Sequence, residues 1–217
     1  MVTRLERPRS KKDLERMLEE VPEIRFPREV LEQYTTPSSI AADMAWRLMM
    51  HGVVQDKIVF DLGCGTGRLC VACLLVGARE CVCVDIDDKL LEELEKFVRE
   101  HDLESKVNPV RADVRSLPLR KSDNSIVVMN PPFGTRVKHI DKAFLESASE
   151  VSNIIVSLHL SSPRSREYLS RLLLEKGFNP VFPSTYMFGI KQVLPHHRSR
   201  IRRVPVDLLV AMRGMSG

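Results

Sequence analysis

Two short stretches carry residue types and spacings capable of chemistry. "NPPF", residues 130–133, places an amide side chain and two prolines ahead of an aromatic ring. Pro131 and Pro132 lack backbone N–H donors and hold φ at about −65°, so the segment is a stiff loop that cannot continue a strand or enter a helix interior. The apolar run at 125–129 reads as a buried strand, and a helical pattern begins at Asp141. Asn130 therefore stands at the carboxyl end of a strand, the edge at which open α/β sheets bind ligands. A proline-stiffened turn in which Asn130 bonds its own backbone is the structural alternative.

The second stretch is "DLGCGTG", in which Asp61, Gly63, Gly65 and Gly67 alternate with other residues directly before a helical pattern. Glycines there let the loop turn tightly and bring backbone close to a ligand. A dinucleotide fingerprint needs a third glycine at position 68, where Arg68 stands. Asp85 closes the next strand and is placed to accept from both hydroxyls of a ribose. NAD and S-adenosylmethionine both carry such a ribose, and a loop with no seat for a pyrophosphate favours S-adenosylmethionine. Asp113, with Val114 beside it, closes a third strand where a carboxylate can accept from the adenine amino group. Capping of a helix or turn is the competing role for Asp85 and Asp113.

These residues need a scaffold, and the rest of the chain supplies one. The 217 residues are 43% hydrophobic and 29% charged, which suits one globular domain with a full core. No apolar stretch reaches the length of a membrane span, and "MVTRLERPRSKK" lacks the apolar centre of a signal peptide, so an intracellular, cytoplasmic protein is expected. Ser10 and Asp13 form a capping-box pattern before Leu14, Met17, Leu18 and Val21, and Thr36 before Pro37 reads as a second cap ahead of Ile40, Met44, Ala45, Leu48 and Met49. Strands are predicted to begin near Ile58, Cys81, Val107, Ser125, Asn153, Val181 and Val204, with helices over 68–77, 88–101, 141–150 and 163–176. That alternation predicts an α/β fold, a Rossmann-like sheet of seven strands that is mostly parallel with helices on both faces, and the short link "IKQVLPHHRSRIRR" before the last strand makes that strand antiparallel. Residues 1–52 are expected to form a helical extension packed over the cofactor site, and 53–217 the Rossmann-like core.

The five cysteines fall between Cys64 and Cys83, an odd and clustered set that does not suit a secreted disulfide framework. Cys70-x-x-Cys73 with Cys81 and Cys83 has the spacing of a zinc site, but the same residues fit a helix and a buried strand in which cysteine acts as a small hydrophobe. No metal is expected. Net charge is +4, and Lys191, Arg198, Arg200, Arg202 and Arg203 gather without an acid among them, which suits a polyanion partner. A solvated loop is the alternative for that segment. Trp46 reads as core, and His159 as a hydrogen-bonded structural histidine.

Taken together, "EQYTTP", "DLGCGTG", "MNPPFGT" and the "VSLH" strand resemble the methyltransferase-like protein 5 family and its archaeal relatives. The resemblance covers nearly the whole chain. It implies a class I S-adenosylmethionine-dependent methyltransferase that makes N6-methyladenosine in RNA, chiefly small-subunit ribosomal RNA. It also implies that Gln33 and Thr36 close over the cofactor, with Gly63, Thr66 and the backbone of Arg68 contributing from the glycine loop, and that a small zinc-binding activator protein pairs with an edge of the sheet. The edge predicted to receive it is the third strand, "KVNPVRAD". In that setting Asn130 and the Pro131 carbonyl accept from the reacting amine, Pro132 stiffens the loop, and Phe133 stacks on an extruded base, a contact worth about 1 to 3 kcal/mol in single-strand systems. A protein-glutamine N5 methyltransferase would use the same acceptors on an amide nitrogen, and a non-catalytic S-adenosylmethionine- or RNA-binding subunit would retain the fold.

Overall fold

The computed structural model describes residues 6–134, 140–193 and 199–214, with the side chains of residue 29 and residues 190–201 outside that description. Two helices come first, α1 (Lys11–Leu18) and α2 (Ser38–Met50). Strands and helices then alternate: β1 (Ile58–Leu62), α3 (Arg68–Leu75), β2 (Glu80–Asp85), α4 (Asp88–Glu100), β3 (Val107–Arg111), β4 (Ser125–Met129), α5 (Ile140–Val151), β5 (Ile154–Leu160) and α6 (Pro163–Glu175). A hairpin of β6 (Phe178–Val193) and β7 (Ser199–Arg213) ends the fold. The strands form one sheet in the order β3-β2-β1-β4-β5-β7-β6. Strands β1 to β5 pair in parallel, as the alternation predicted, and β7 runs antiparallel to both neighbours, as the short link before it predicted.

Both faces of the sheet are covered, so its central strands are apolar on both sides. Along β4, Ile126 and Val128 turn toward the core shared with α1 to α4, while Val127 and Met129 turn toward the core shared with α5 and α6. This period of two decides where each functional loop emerges, because it fixes the register of the strand before it. The parallel strands all end at one edge. There the Asp61–Leu62, Asp85, Arg111 and Met129 termini deliver the glycine loop, the two acidic turns and Asn130.

The first helix starts as its sequence specifies. Ser10 Oγ accepts from the Asp13 N–H at 3.1 Å, and the Asp13 carboxylate accepts from the Arg9 N–H at 3.0 Å. Helices α1 and α2 are joined to the sheet through Asp43, which accepts from Lys11 Nζ and Tyr186 Oη and pairs with Arg47, each at 2.7 Å. Those three donors hold the Asp43 carboxyl down at about 2 against the cost of its burial.

The second cap is a correction. Helix α2 begins after Pro37 with no side-chain capping bond, since the Thr36 hydroxyl is turned to Asn130 instead. A second correction concerns the final hairpin, whose ladder runs from Phe178 to Val193 and back from Ser199. Lys191, Arg200, Arg202 and Arg203 thus lie on strands rather than in a loop, and Arg198 falls outside the described residues. The ladder extends because backbone pairing in an antiparallel ribbon does not require an apolar face, and charged side chains can stand on both sides of it. Strand β3 is an edge strand, and Pro109 lies within it, where a missing N–H costs least on the side that faces no neighbour.

Candidate active site

A cavity of about 320 Å³ opens at the carboxyl edge of β1, β2 and β4. Of the residues singled out from sequence, Gln33, Thr36, Asp61, Gly63, Gly65, Thr66, Arg68, Asp85, Asp113, Val114, Asn130 and Pro132 lie in its wall. Gly67, Pro131 and Phe133 do not. Gly67 serves packing: at φ +84° it admits no ordinary side chain, and a Cβ there would meet Leu94 Cδ1 at 2.5 Å. Its N–H closes the loop on the Cys64 carbonyl at 2.8 Å.

The glycine loop is tied to β2 before any ligand arrives. Gly63 and Cys64 N–H groups donate to the Val84 carbonyl, and the Gly65 N–H donates to Asp85 Oδ2 at 2.8 Å. Asp85 Oδ1 accepts from the Asp87 N–H at 2.9 Å. The expected ribose acceptor is therefore also a brace, with each oxygen already engaged once and lone pairs left over for hydroxyl donors. Burial, helped by the Asp87 charge, pushes its carboxyl up against the pull of the Asp87, Gly65 and Ile86 amides. Asp61 differs: Oδ2 accepts from the Cys70 N–H at 3.0 Å, while Oδ1 is buried with no hydrogen-bond partner. Burial, partly offset by that amide and reinforced by the Asp85 charge, raises the Asp61 carboxyl to about 7. A bare carboxylate oxygen in a buried wall fits a cationic ligand, and the ammonium and sulfonium of S-adenosylmethionine are such charges. The residues present fit that cofactor.

Residues 21–36 cross the mouth of this cavity as a strap. Arg68 from α3 donates to the Val21 carbonyl at 2.8 Å and to the Thr36 carbonyl at 3.0 Å, and Thr66 Oγ1 donates to the Pro22 carbonyl at 2.6 Å. The Arg68 side chain is thus buried, at 6% exposure, and does not point to solvent. Gln33 accepts from the Arg28 N–H at 2.7 Å and donates to Asp87 Oδ2 at 2.9 Å, and Arg28 Nε pairs with the same oxygen at 3.1 Å. The other Asp87 oxygen caps α4 by accepting from the Lys89 N–H. Asp113 is held by the Arg115 guanidinium, which keeps its carboxyl at about 2, and it also caps the turn that follows.

At the far end of the strap, Asn130 Nδ2 donates to Thr36 Oγ1 at 3.0 Å, and Asn130 Oδ1 is buried with no partner. An unpaired buried acceptor costs about 1 to 3 kcal/mol, a cost that a donor on a bound molecule would remove. Phe133 packs with its ring centroid 5.9 Å from that of Tyr34, nearly parallel, and edge-on to Phe188 at 5.7 Å. His159 is buried, paired with Ser157 Oγ at 2.8 Å, and pushed by burial to about 4, so its ring is neutral. All five cysteines are buried free thiols, and burial pushes Cys81 up to about 12.

Sequence reasoning missed Tyr34, Asp87 and Arg115. Asp87 had a local signal, standing just before α4 as a cap. Its partner Gln33 is 54 residues away, however, and only the closed fold brings them together.

Residues 59–153 match a family model described as a methyltransferase domain. The rRNA N(6)-adenosine-methyltransferase Mettl5 of Drosophila melanogaster is 37% identical over 201 residues, which is 89% of this chain and 92% of that protein. The rRNA N(6)-adenosine-methyltransferase metl-5 of Caenorhabditis elegans is 30% identical over 89% of this chain and 93% of its own length. A crystal structure from Pyrococcus horikoshii, provisionally assigned as an RNA methyltransferase, superposes with a TM-score of 0.85 at 32% identity, covering 95% of this chain and 98% of that one.

Proposed function

Because the chain belongs to the family of rRNA N(6)-adenosine-methyltransferases, we propose that it transfers a methyl group from S-adenosylmethionine to N6 of an adenosine in ribosomal RNA. The observation that carries this reading is Asn130 Oδ1, a buried acceptor without a partner in the cavity wall at the end of β4.

The residues divide the work. Asp85 and Asp113 accept from the ribose hydroxyls and the adenine amino group, Gln33 and Thr36 close the strap, and Gly63, Gly65, Thr66, Val114 and the backbone of Arg68 shape the floor. Gly67 holds the loop against α4. Asp61 faces the cofactor's positive charge. S-adenosylmethionine, when bound, supplies an electrophilic methyl group on a sulfonium. The lone pair of an adenine N6 is delocalised into its ring, and acceptors at both N–H groups favour the tetrahedral nitrogen that can attack. Asn130 Oδ1 and the Pro131 carbonyl are those acceptors, and Pro131 and Pro132 hold them in place beforehand. No side chain has to remove a proton first, since the methylated ammonium is acidic and releases one to water afterwards. Phe133 stacks on the flipped base once Tyr34 gives way.

The β6–β7 hairpin extends beyond the carboxyl end of β5, where Val206 pairs with Leu160, and its base meets Phe133 through Phe188. We assign the RNA backbone to its basic residues, Lys191, Arg198, Arg200, Arg202 and Arg203. Residues 1–52 act as an extension over the cofactor and 53–217 as the catalytic core, working in the cytoplasm. The free edge of β3 takes a small zinc-binding activator by strand addition. Sedimentation of the purified chain alone tests the last point, which fails if the chain is soluble, monomeric and fully active without a partner.

The central test is incubation with labelled S-adenosylmethionine and total RNA, followed by digestion to nucleosides. Label in N6-methyladenosine is expected, and label in protein alone would overturn the reading.

A further inference from the structure

We propose that Thr36 is the positioning residue that orients Asn130 for the reaction, an inference that rests on the reading of Asn130 as acceptor for the attacking amine. The two ends of the Asn130 amide have nearly the same shape, so packing alone does not choose between them. Half a turn about χ2 would present NH₂ to an incoming amine, donor against donor. With Nδ2 on Thr36 Oγ1 at 3.0 Å, the amide hydrogen has its acceptor and Oδ1 is the end left for the substrate.

Thr36 is built to hold that place. It is 6% exposed, its carbonyl accepts from Arg68 Nη1 at 3.0 Å, and the adjacent Thr35 hydroxyl accepts from the Ile24 N–H at 2.9 Å. Pro37 follows at φ −54°, which stiffens the chain on the other side. The Thr36 hydroxyl is not spent on the start of α2, which has no side-chain cap. Arg68 is the first residue of α3, directly after the glycine loop, and its Nη2 also holds the Val21 carbonyl. Arg68, Thr36 and Asn130 thus form a line of bonds from the cofactor loop to the reacting edge.

The test reads the contact and the reaction separately. The chain has five asparagines, and ¹⁵N-asparagine labelling gives a side-chain amide signal for each, with that of Asn130 identified by its loss in Asn130→Ala. Thr36→Val keeps the side-chain shape and removes the acceptor. It is expected to move the Asn130 amide signal upfield and speed its exchange with water. It should also lower kcat about tenfold, while KM for RNA and cofactor affinity stay within about twofold. Thr36→Ser, which keeps the hydroxyl, should restore the signal and most of the rate. An unmoved Asn130 signal in Thr36→Val overturns the proposal, as does a loss of cofactor affinity that accounts for the whole fall in rate. If the parent chain methylates no RNA adenosine, the functional reading fails, and the amide signal still decides whether Thr36 holds Asn130.

Discussion

The two halves of the cavity are built on opposite terms. On the cofactor side, Gly63, Gly65, Thr66, Asp85, Asp87 and Gln33 are bonded to one another, to β2 or to the strap, and Asp61 Oδ1 is buried there without a hydrogen-bond partner. On the substrate side, Asn130 keeps an unpaired acceptor, and Arg202 and Arg203 stand exposed on the hairpin. A site that must hold one invariant small molecule is best shaped in advance. A site that must draw a base from a long flexible polymer keeps its unsatisfied groups for the moment of contact.

The sharpest way to break this contrast is to truncate one acceptor from each side. Asn130→Ala should cut methyl transfer by about 10²- to 10³-fold with cofactor affinity nearly unchanged, because that oxygen works only at the reacting nitrogen. Calorimetry beside a methyl-transfer assay decides this, and an active variant would sink the mechanism. Asp85→Ala should behave in the opposite way. The cofactor loses a charged acceptor worth about 1.5 to 3 kcal/mol, roughly ten- to a hundredfold in affinity. The Gly65 and Asp87 amides lose their partner as well, so the melting temperature should fall too.

A smaller effect follows from Asp61, whose folded carboxyl sits at about 7, above its ordinary value of 3.8. The empty folded chain therefore keeps a proton that the unfolded chain has lost, and this contribution to stability is full below about pH 4 and lost as pH rises through 7. A cationic cofactor needs the ionised form, so affinity should fall by up to about tenfold per pH unit below 7. Titrations between pH 5.5 and 8 on the parent and on Asp61→Asn measure it, and parallel curves would remove Asp61 from the account.

The smallest change is expected on the hairpin. Replacing Arg202 and Arg203 with alanine should flatten the log-log salt dependence of RNA binding by about 0.7 for each single-strand phosphate that the variant leaves unneutralised, with cofactor affinity unchanged. Equal slopes for parent and variant would move the RNA surface to the basic amino-terminal stretch.

How far the sequence reaches can be judged from the same residues. Helix and strand periods placed all seven strands, and the central ones were plainest, because strands buried on both faces leave uninterrupted apolar runs such as "IVVM". The glycine loop and Asn130 were legible since each follows such a run directly. What escaped were closures over long distance. Thr36 looked like a local cap, and nothing within a few residues of it announces Asn130, 94 positions on. Arg68 was read for its backbone alone, because a guanidinium is rarely buried without an acid. Here two main-chain carbonyls take its place. The hairpin was read too short, since charge marks solvent exposure and carries no information about whether a backbone is paired.

That hairpin has one more implication. From Val206 to Met212, β7 lies between β5 and β6, whereas from Ser199 to Pro205 its ladder partner is β6. A single strand therefore spans two regimes of cooperativity. Amide hydrogens in its second half should exchange only when the whole domain opens. Those of its first half belong to a two-stranded ribbon, marginal by itself in water, and should exchange far sooner. Protection against deuterium would then rise along one continuous strand, stepping near Val206, and RNA seated on the ribbon would raise it on the near side alone.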